Sequence, residues 1–233
     1  DAPSIPLSAQ QNINIYALIE AIQERIPTPK RGESKPPLML IARSFDVNKP
    51  GTPIKSLKGG VVGGSLIQGR LKAGDTVEIR PGIKIKESYE PLKTKITGLQ
   101  KSMIDIKDAG PGGLLGVSTE LDPFLAKSDT LAGNVLGLPE SMPPVHERIT
   151  MKTNLMDRVV GAKEDTAVGE IKTGDFLMLT TGTARTVGTV ISGRAGSLEA
   201  TLKIPICANR GERIAISRQI QGRWRLIGWG EIE

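Results

Sequence analysis

Apolar and polar residues alternate along several short stretches of this chain. A period of two places successive side chains on opposite faces of a β-strand, so each stretch predicts a strand with one buried and one wet face. The clearest examples are residues 198–206 and 149–155. Many short strands with no helices between them predict an all-β chain of two consecutive antiparallel β-barrels, not a parallel α/β sheet. Further strands are predicted at 38–47, 61–71, 76–80, 93–100, 114–121, 130–136, 176–180, 186–192, 213–220 and 224–231.

The composition supports this interpretation. The chain has 233 residues, enough for about two domains of ordinary size. Its 27 Gly and 16 Pro are scattered without a period, which is typical of many strands joined by turns. Only 3% of the residues are aromatic, so the barrel cores must consist mainly of Ile, Val and Leu.

The first segment departs from the strand pattern. Apolar residues recur at helical spacing from Ile15 to Ile26, and Asn14 precedes them as a candidate N-cap. Pro27 and Pro29 end the pattern. This amphipathic helix needs a surface to cover its apolar side, which is either the following barrel or a domain missing upstream.

Two breaks divide the chain. Residues 28–37 have no apolar period and are rich in Pro, Lys, Gly and Ser, and prolines cluster again in residues 139–144. We therefore expect three parts: an N-terminal segment at 1–32, a β-barrel at 33–139 and a second β-barrel at 140–233.

One short pattern occurs in both predicted barrels. Residues 71–79 and 171–179 each read apolar, Lys, small residue, Gly, Asp and then an alternating strand. Gly tolerates positive φ, and Asp can accept hydrogen bonds within its own turn. Each copy therefore predicts a tight turn that leads into a strand.

The residues that usually carry catalysis are scarce. Cys207 is the only cysteine and ends an apolar run, so we expect a buried structural thiol, with no disulfide and no cysteine-based zinc site. His146 is the only histidine, and we expect it in the proline-rich linker. The sequence contains no phosphate-binding loop of the glycine-rich, Lys-Ser/Thr type. We therefore predict no catalytic residue and no metal site in this chain.

Charge and hydropathy indicate the cellular location and the kind of partner to expect. No apolar run reaches the roughly 20 residues that span a bilayer, and no signal peptide is recognisable, so we expect a cytoplasmic protein without membrane contact. Lys and Arg number 31 against 25 Asp and Glu, a net charge of +6. This basic balance favours an anionic partner, with nucleic acid first.

Arginines crowd the last part of the chain. Forked guanidinium groups suit phosphate oxygens, so these arginines are candidates for contacts with an RNA backbone. Alternatively they form a solvated strand face, while Trp224 and Trp229 plug the barrel. The candidates are Arg210, Arg213, Arg218, Arg223 and Arg225.

The first predicted barrel resembles the second domain of translational GTPases. Residues 58–75 contain a Gly-Val-Val-x-Gly run followed by an apolar-Lys-x-Gly turn, as in elongation factor Tu, and residues 96–99 are similar to its next strand. Residues 80–83 and the doubled glycines resemble a narrower family, the gamma subunit of archaeal/eukaryotic initiation factor 2. Residues 185–188 and 226–230 resemble that family's third domain.

The start of the chain is similar to the end of the family's GTPase domain. Ser8, Ala9 and Gln10 resemble its last guanine-contacting loop, and the following helix resembles its closing helix. The phosphate loop, both switches, the guanine-selecting motif and the family's zinc-binding cysteines are missing from this sequence. The resemblance thus implies domains II and III of a longer parent that binds GTP and Mg²⁺. This chain alone is expected to hold no cofactor and to have no GTPase activity.

The resemblance also implies partners. Gamma subunits of this family form the core of a heterotrimer and deliver methionylated initiator tRNA to the small ribosomal subunit, so the parent is expected to be a GTPase of translation initiation. The alpha subunit would bind domain II, where predicted loops at 48–60 and 81–91 are candidate contacts. The beta subunit would bind only the missing GTPase domain, and mRNA is a further candidate partner.

Four residues are implied in holding the aminoacylated end of the tRNA. By likeness to elongation factor Tu, Arg43 and Phe45 lie near that pocket, as do Gln100 and Lys101. An alternative for Phe45 is a place in the core, which its alternation with Val47 favours.

Two other identities stay open from the sequence. One is the equivalent part of another elongation factor Tu-like factor, such as a selenocysteine-specific factor, and binding of the alpha subunit would separate it from the gamma subunit. The other is an unrelated β-barrel enzyme, against which the lack of a clustered polar site counts.

Overall fold

The structure consists of two compact units, residues 1–32 and residues 33–233. The computed structural model describes residues 2–29, 31–161, 167–194 and 196–233.

The first unit contains the predicted helix, α1 (Ile15–Arg25). Asn14 occupies the N-cap position as predicted, but its side chain makes no capping hydrogen bond. With φ at 61°, the Asn14 amide instead donates to the Pro6 carbonyl at 2.8 Å. α1 buries none of its own residues, and Ile19 and Ile22 are 51% and 46% exposed.

Short strands dominate the second unit. Single helical turns lie at α2 (Pro123–Ala126) and, as 3-10 turns, at Ile54–Ser56, Lys127–Asp129 and Pro139–Ser141. The strands are β1 (Leu38–Phe45), β2 (Val61–Gln68), β3 (Leu71–Lys72), β4 (Thr76–Ile85), β5 (Ser88–Lys101), β6 (Ile104–Ile106), β7 (Asp108–Ala109), β8 (Leu115–Thr119), β9 (Val135–Gly137), β10 (Val145–Leu155), β11 (Phe176–Thr181), β12 (Ala184–Arg194), β13 (Ser197–Cys207), β14 (Arg213–Ile220) and β15 (Arg223–Ile232).

These strands form two closed antiparallel barrels. The first barrel runs β4-β9-β1-β2-β8-β5, and β5 pairs back onto β4, while β6 extends the sheet beside β5 and β3 pairs with β7. The second barrel runs β10-β13-β12-β11-β14-β15, and β15 pairs back onto β10. The predicted all-β class with two consecutive antiparallel barrels is confirmed.

Each barrel is filled by aliphatic side chains, as the low aromatic content requires. The first core includes Met39, Ile41, Val62, Leu66, Ile79, Val117 and Leu136. The second includes Ile149, Met151, Leu177, Leu179, Ala200, Ile214 and Ile216.

The repeated sequence pattern is a repeated structure. In the first copy, Asp75 N donates to Lys72 O at 3.2 Å, and Lys72 N donates back to the Asp75 carboxylate at 2.8 Å. In the second copy, the same two bonds join Asp175 and Lys172 at 3.1 and 2.9 Å. The glycine of the pattern has φ 98° in the first copy, at Gly74, and 89° in the second, at Gly174. The predicted turn, with Gly at the left-handed position and Asp closing it, is therefore confirmed in both barrels.

A small apolar cluster joins the two barrels. Leu38 and Val135 of the first barrel pack with Cys207 of the second, and each is 5–6% exposed. The backbone is close here, because a Cβ added to Gly182 would lie 3.0 Å from Leu40 Cδ1.

Cys207 is the buried structural thiol that the sequence predicts. Its Sγ donates to the Pro143 carbonyl at 3.3 Å, and burial raises the pKa of the Cys207 thiol to about 12.

His146 lies in β10 and not in the linker, so its predicted place is wrong. Its Nε2 lies 3.0 Å from the Ala208 carbonyl oxygen.

An ion pair between a buried carboxylate and a partly exposed arginine lies beside this cluster. Only 4% of the Glu78 side chain is exposed, and its carboxylate pairs with Arg80 Nε. Arg80 Nη1 also donates to the Pro143 carbonyl at 3.4 Å. The pair thus connects the first barrel to the segment that leads into the second.

Two segments differ from their sequence predictions. The expected strand at 130–136 begins only at Val135, because Ala132 and Asn134 close turns onto preceding carbonyls. Residues 81–91 are not a loop but a β-ribbon, in which β4 and β5 stay paired out to Ile85↔Ser88.

Residues 48–60 do form a loop, and one side chain closes it. The Asn48 amide donates to Lys58 O at 2.7 Å and accepts from Lys58 N at 2.8 Å. The loop exposes Ile54 at 86%.

Candidate nucleic-acid interface

A β-bulge in β1 decides which residues of the first barrel face outward. The pairing with β2 shifts by one residue between Ile41 and Arg43, so two consecutive residues are exposed there. Ser44 then turns inward at 1% exposure, and its Oγ accepts a hydrogen bond from Leu131 N at 3.0 Å. Phe45 points outward and is 42% exposed, so the core position favoured by its alternation is wrong.

Arg43, Phe45 and Gln100 meet in one surface groove of about 270 Å³, the Arg43 groove. Glycines form its floor: a Cβ added to Gly63 would lie 3.8 Å from Arg43 Cβ and 3.9 Å from Phe45 Cε1. The ring and the arginine stem therefore lie directly over bare backbone. β1 supplies two of the predicted residues and β5 the third, although more than fifty positions separate them in the sequence.

Lys101, the fourth predicted residue, lies beside this groove without lining it. A Cβ added to Gly113 would come within 3.2 Å of Lys101 Cε, so the lysine stem packs over the turn before β8. Two residues that the sequence reasoning missed complete the rim, Met103 and Leu114, which are 92% and 77% exposed. Each is the first of two adjacent apolar residues that follow a polar or glycine-rich turn, and this was the available sequence signal.

An aspartate holds the arginine of the groove in place. Asp129 Oδ1 accepts from Arg43 Nε and from Ser44 N, both at 2.9 Å. The hydrogen bond from Ser44 N, followed by that from Arg43, holds the pKa of the Asp129 carboxyl below its usual range. The Arg43 side chain stays 72% exposed, so its guanidinium can still meet an anion.

A second, larger groove of about 830 Å³ lies on the same barrel. Val47, Leu57 and Lys58 line it together with Glu120 and Asp122. Its lining mixes both signs of charge with apolar surface, so charge alone indicates no ligand class.

The loop that resembles a guanine-contacting loop lies in the first unit. Ser8 and Ile13 form an antiparallel bridge, with N–H···O distances of 3.2 and 3.0 Å. Asn12 N donates to Ala9 O at 3.2 Å, which makes Ser8, Ala9 and Gln10 part of one tight loop. Ala9 and Gln10 are exposed.

The five C-terminal arginines do not form one patch. Arg210 and Arg213 lie at the start of β14, and the others lie at its far end or in β15. Arg218 is engaged internally: its Nη atoms donate to Gly169 O, Glu170 O and the Asp175 carboxylate at 2.8–3.0 Å. Arg213 lies over Trp229, with its Cζ 4.5 Å from the ring centroid.

Trp224 is 37% exposed and therefore does not plug the barrel as the alternative interpretation required.

Within the described ranges, no three His, Cys, Asp or Glu side chains are grouped closely enough to hold a metal ion. In the same part of the chain, no helix has the length and apolar character needed to cross a membrane.

Two family models match this chain. Residues 59–137 match the model described as elongation factor Tu domain 2, and residues 147–232 match that described as initiation factor eIF2 gamma, C terminal. These two matches fall on the first and the second barrel, respectively.

Curated relatives match the whole chain. The translation initiation factor 2 subunit gamma of Methanocaldococcus jannaschii is 54% identical over 237 residues, and that of Thermococcus kodakarensis is 52% identical over 236. The alignment covers 100% of this chain, and the chain spans 58% of the length of each of these relatives.

A solved structure has the same fold. The bacterial selenocysteine-specific elongation factor EF-Sec matches with a TM-score of 0.71 at 21% identity, over 97% of this chain and 32% of that one. At that identity the likeness concerns the fold alone, whereas the relatives of higher identity and the C-terminal model are all gamma subunits. The chain therefore belongs to the family of translation initiation factor 2 gamma subunits.

Proposed function

We propose that the first barrel holds the aminoacylated acceptor end of initiator tRNA in the Arg43 groove. The convergence of Arg43, Phe45 and Gln100 carries this proposal, because residues that a likeness to elongation factor Tu implies line one groove although they are distant in sequence. Each side chain suits one part of a nucleotide: the guanidinium a phosphate, the ring a base, and the amide a base edge. Lys101 adds a second positive charge beside the groove.

In the longer parent, we propose GTP-dependent delivery of methionylated initiator tRNA to the small ribosomal subunit in the cytoplasm, with mRNA as a further partner. Residues 1–32 would complete the GTPase domain, which binds GTP and Mg²⁺ and contacts the beta subunit. Residues 33–139 and 140–233 would act as domains II and III. This proposal rests on family membership.

This chain alone should neither bind nor hydrolyse GTP. Ser8, Ala9 and Gln10 offer a guanine edge only a few contacts, and phosphate contacts dominate such sites. Isothermal titration of the chain with GTP and Mg²⁺ should release no binding heat at micromolar protein. A micromolar dissociation constant would contradict the assignment.

The test of the groove compares alanine variants of the full-length parent. Phe45→Ala should weaken binding of charged initiator tRNA by about tenfold or more, because stacking contributes about 1–3 kcal/mol per base. Arg43→Ala, Gln100→Ala and Lys101→Ala should each weaken it less. Phe124→Ala is the matched control, since Phe124 is 75% exposed on the same barrel but outside the groove. If all four groove variants fold and bind charged tRNA like the parent, the groove is not the site.

We further propose that the alpha subunit binds the first barrel through the β4–β5 ribbon and the 48–60 loop. Beyond Arg80 the strands of the ribbon pair only with each other, and the ribbon exposes Ile85 at 41%. Such an edge, together with the exposed Ile54, gives a partner both backbone groups and apolar surface. Shortening the ribbon by Ile85–Ser88 should weaken capture of the alpha subunit. Unchanged capture after removal of both segments would exclude this surface.

We also expect RNA binding that does not depend on the RNA sequence. Exposed Arg210, Arg213 and Arg223 can meet phosphates, and such affinity falls steeply with salt because counterions are released. Arg225 is half-buried, and Arg218 is occupied by its internal partners.

A further inference from the structure

An aromatic row crosses the outer surface of the second barrel. The register of β11 with β14 pairs Leu177 with Arg218, which puts Phe176 beside Gln219. Gln219 in turn pairs with Trp224 on β15. Two strand spacings separate the two aromatic residues, so their backbones lie about 10 Å apart on one face.

Exposed rings occur elsewhere in this molecule, at Tyr16, Phe45 and Phe124, but Phe176 and Trp224 share one row across the sheet. Phe176 is 63% exposed and Trp224 is 37% exposed. Leu177, which follows Phe176 on β11, points inward and is fully buried. The barrel therefore fills its core with aliphatic residues and presents large rings to solvent, although the acceptor-end groove makes no use of them.

A second row on the same outer surface adds an aromatic residue and positive charge. The registers of β12, β11, β14 and β15 align Arg185, Thr180, Ala215 and Trp229. Arg213 lies over the Trp229 ring at 4.5 Å. We call Phe176, Trp224 and Trp229, with the residues between them, the aromatic face.

The charges around the aromatic face favour an anion. Arg185 and Arg213 are exposed on this face, and Glu231, opposite Arg213, is the one acidic residue of its described strands. Arg223 pairs with Ile220 and lies at the end of the barrel beside the face. Asp175, at the edge, already accepts a bond from Arg218. The net charge is therefore positive, and complementary to a phosphate backbone.

We infer that the aromatic face binds single-stranded RNA, with Phe176 and Trp224 each stacking on a base and the arginines meeting phosphates. Exposed aromatic side chains on a β-sheet, flanked by basic residues, are how several folds hold unpaired bases. Gln219, between the two rings, provides both donors and an acceptor for a base edge. A duplex keeps its bases stacked inside and cannot use these rings.

A protein partner is the competing occupant, since interfaces also favour Trp, Phe and Arg. The polar character of the aromatic face counts against a protein partner. The aliphatic residues of the face, such as Met178 and Leu226, are half-buried, and the groups between the exposed rings are polar. The inference concerns a different barrel from the acceptor-end groove, so each can fail without the other.

The test uses the chain itself and a fluorescein-labelled 12-nucleotide single strand of mixed sequence. Because Trp224 and Trp229 are the two tryptophans of the chain, intrinsic emission reports this face alone. Binding should quench that emission as the RNA anisotropy rises. A duplex of the same sequence should bind more weakly and leave the emission unchanged.

Variants separate stacking from general apolar contact. Phe176→Leu and Trp224→Ala should each weaken single-strand binding about tenfold, whereas Phe176→Tyr and Trp224→Phe should keep it. Phe124→Ala, on the first barrel and outside the Arg43 groove, should change neither affinity nor quenching. Thermal melting of each variant shows whether it folds, and Phe176→Leu keeps an apolar side chain so that the fold is retained.

Three results would overturn the inference. The first is single-strand affinity unchanged in both Phe176→Leu and Trp224→Ala. The second is binding by anisotropy without any change in tryptophan emission. The third is loss of alpha-subunit capture in Trp224→Ala with RNA affinity intact, which would assign the face to a protein.

Discussion

Removing one partner of the Glu78–Arg80 pair should cost more stability than removing both. In Arg80→Met, the Glu78 carboxylate stays buried, with 4% of its side chain exposed, and keeps only Lys93, whose Nζ lies 4.0 Å away. Breaking a buried pair in this way costs about 3–5 kcal/mol, and the remaining lysine places this case near the lower limit. The lost bond to the Pro143 carbonyl adds to the effect.

The double variant Glu78→Met/Arg80→Met is the matched control. Replacing both charges by apolar side chains of similar size is often nearly neutral, so it should recover most of the loss. Differential scanning calorimetry should give a Tm about 6–12 °C lower for Arg80→Met, at about 2–4 °C per kcal/mol for a unit of this size. If the single variant loses less than about 1 kcal/mol, or the double variant loses as much as the single, the pair does not hold this junction.

Further expectations concern single positions. Cys207 should resist iodoacetamide at pH 8 in the folded chain, because its pKa of about 12 leaves almost no thiolate; mass spectrometry showing modification within minutes, without denaturant, would contradict this. Gly64→Ala should lower the free energy of unfolding by about 3 kcal/mol, since its Cβ would lie 1.9 Å from a backbone carbonyl oxygen. Gly98→Ala, whose Cβ would meet nothing nearer than 3.9 Å, should change it by less than about 1 kcal/mol in the same urea titration. Asp175→Ala should cost about 1.5 kcal/mol more than Asp75→Ala, because only Asp175 also binds an arginine; equal costs would mean that this ion pair adds nothing.

The features that the sequence predicts correctly are those set by residues close together in the chain. The two Gly-Asp turns follow from residues a few positions apart, so a five-residue pattern specifies their hydrogen bonds in both barrels. Strand 213–220 follows from alternation that holds from Arg213 to Ser217. In strand 198–206 the alternation holds from Leu198 to Lys203, but the pairing with β10 is irregular beyond Thr201 and Ile204 is exposed. Fold class was predictable because many such local signals agree.

The position of Phe45 was not predictable from alternation. A period-two pattern through Met39 and Ile41 carries Phe45 into the core, but the bulge before Arg43 inserts one residue and reverses the faces after it. The bulge depends on pairing with β2 and on the contact of Ser44 with Leu131, which are distant in sequence. The groove therefore depends on tertiary contacts, and only the likeness to elongation factor Tu anticipated its residues.

The Asn48–Lys58 closure makes the 48–60 loop a site for engineering. Its two ends are held by two hydrogen bonds between the Asn48 side chain and the Lys58 backbone, while a Cβ on Gly51 would meet nothing within 4 Å. Since the entropy of closing a loop grows only slowly with its length, a peptide epitope or a dye-binding tag inserted at Gly51 should leave the barrel intact. Such an insertion would place a spectroscopic label on the loop whose ends border the larger groove, from which distances to a bound RNA or subunit can be measured by energy transfer.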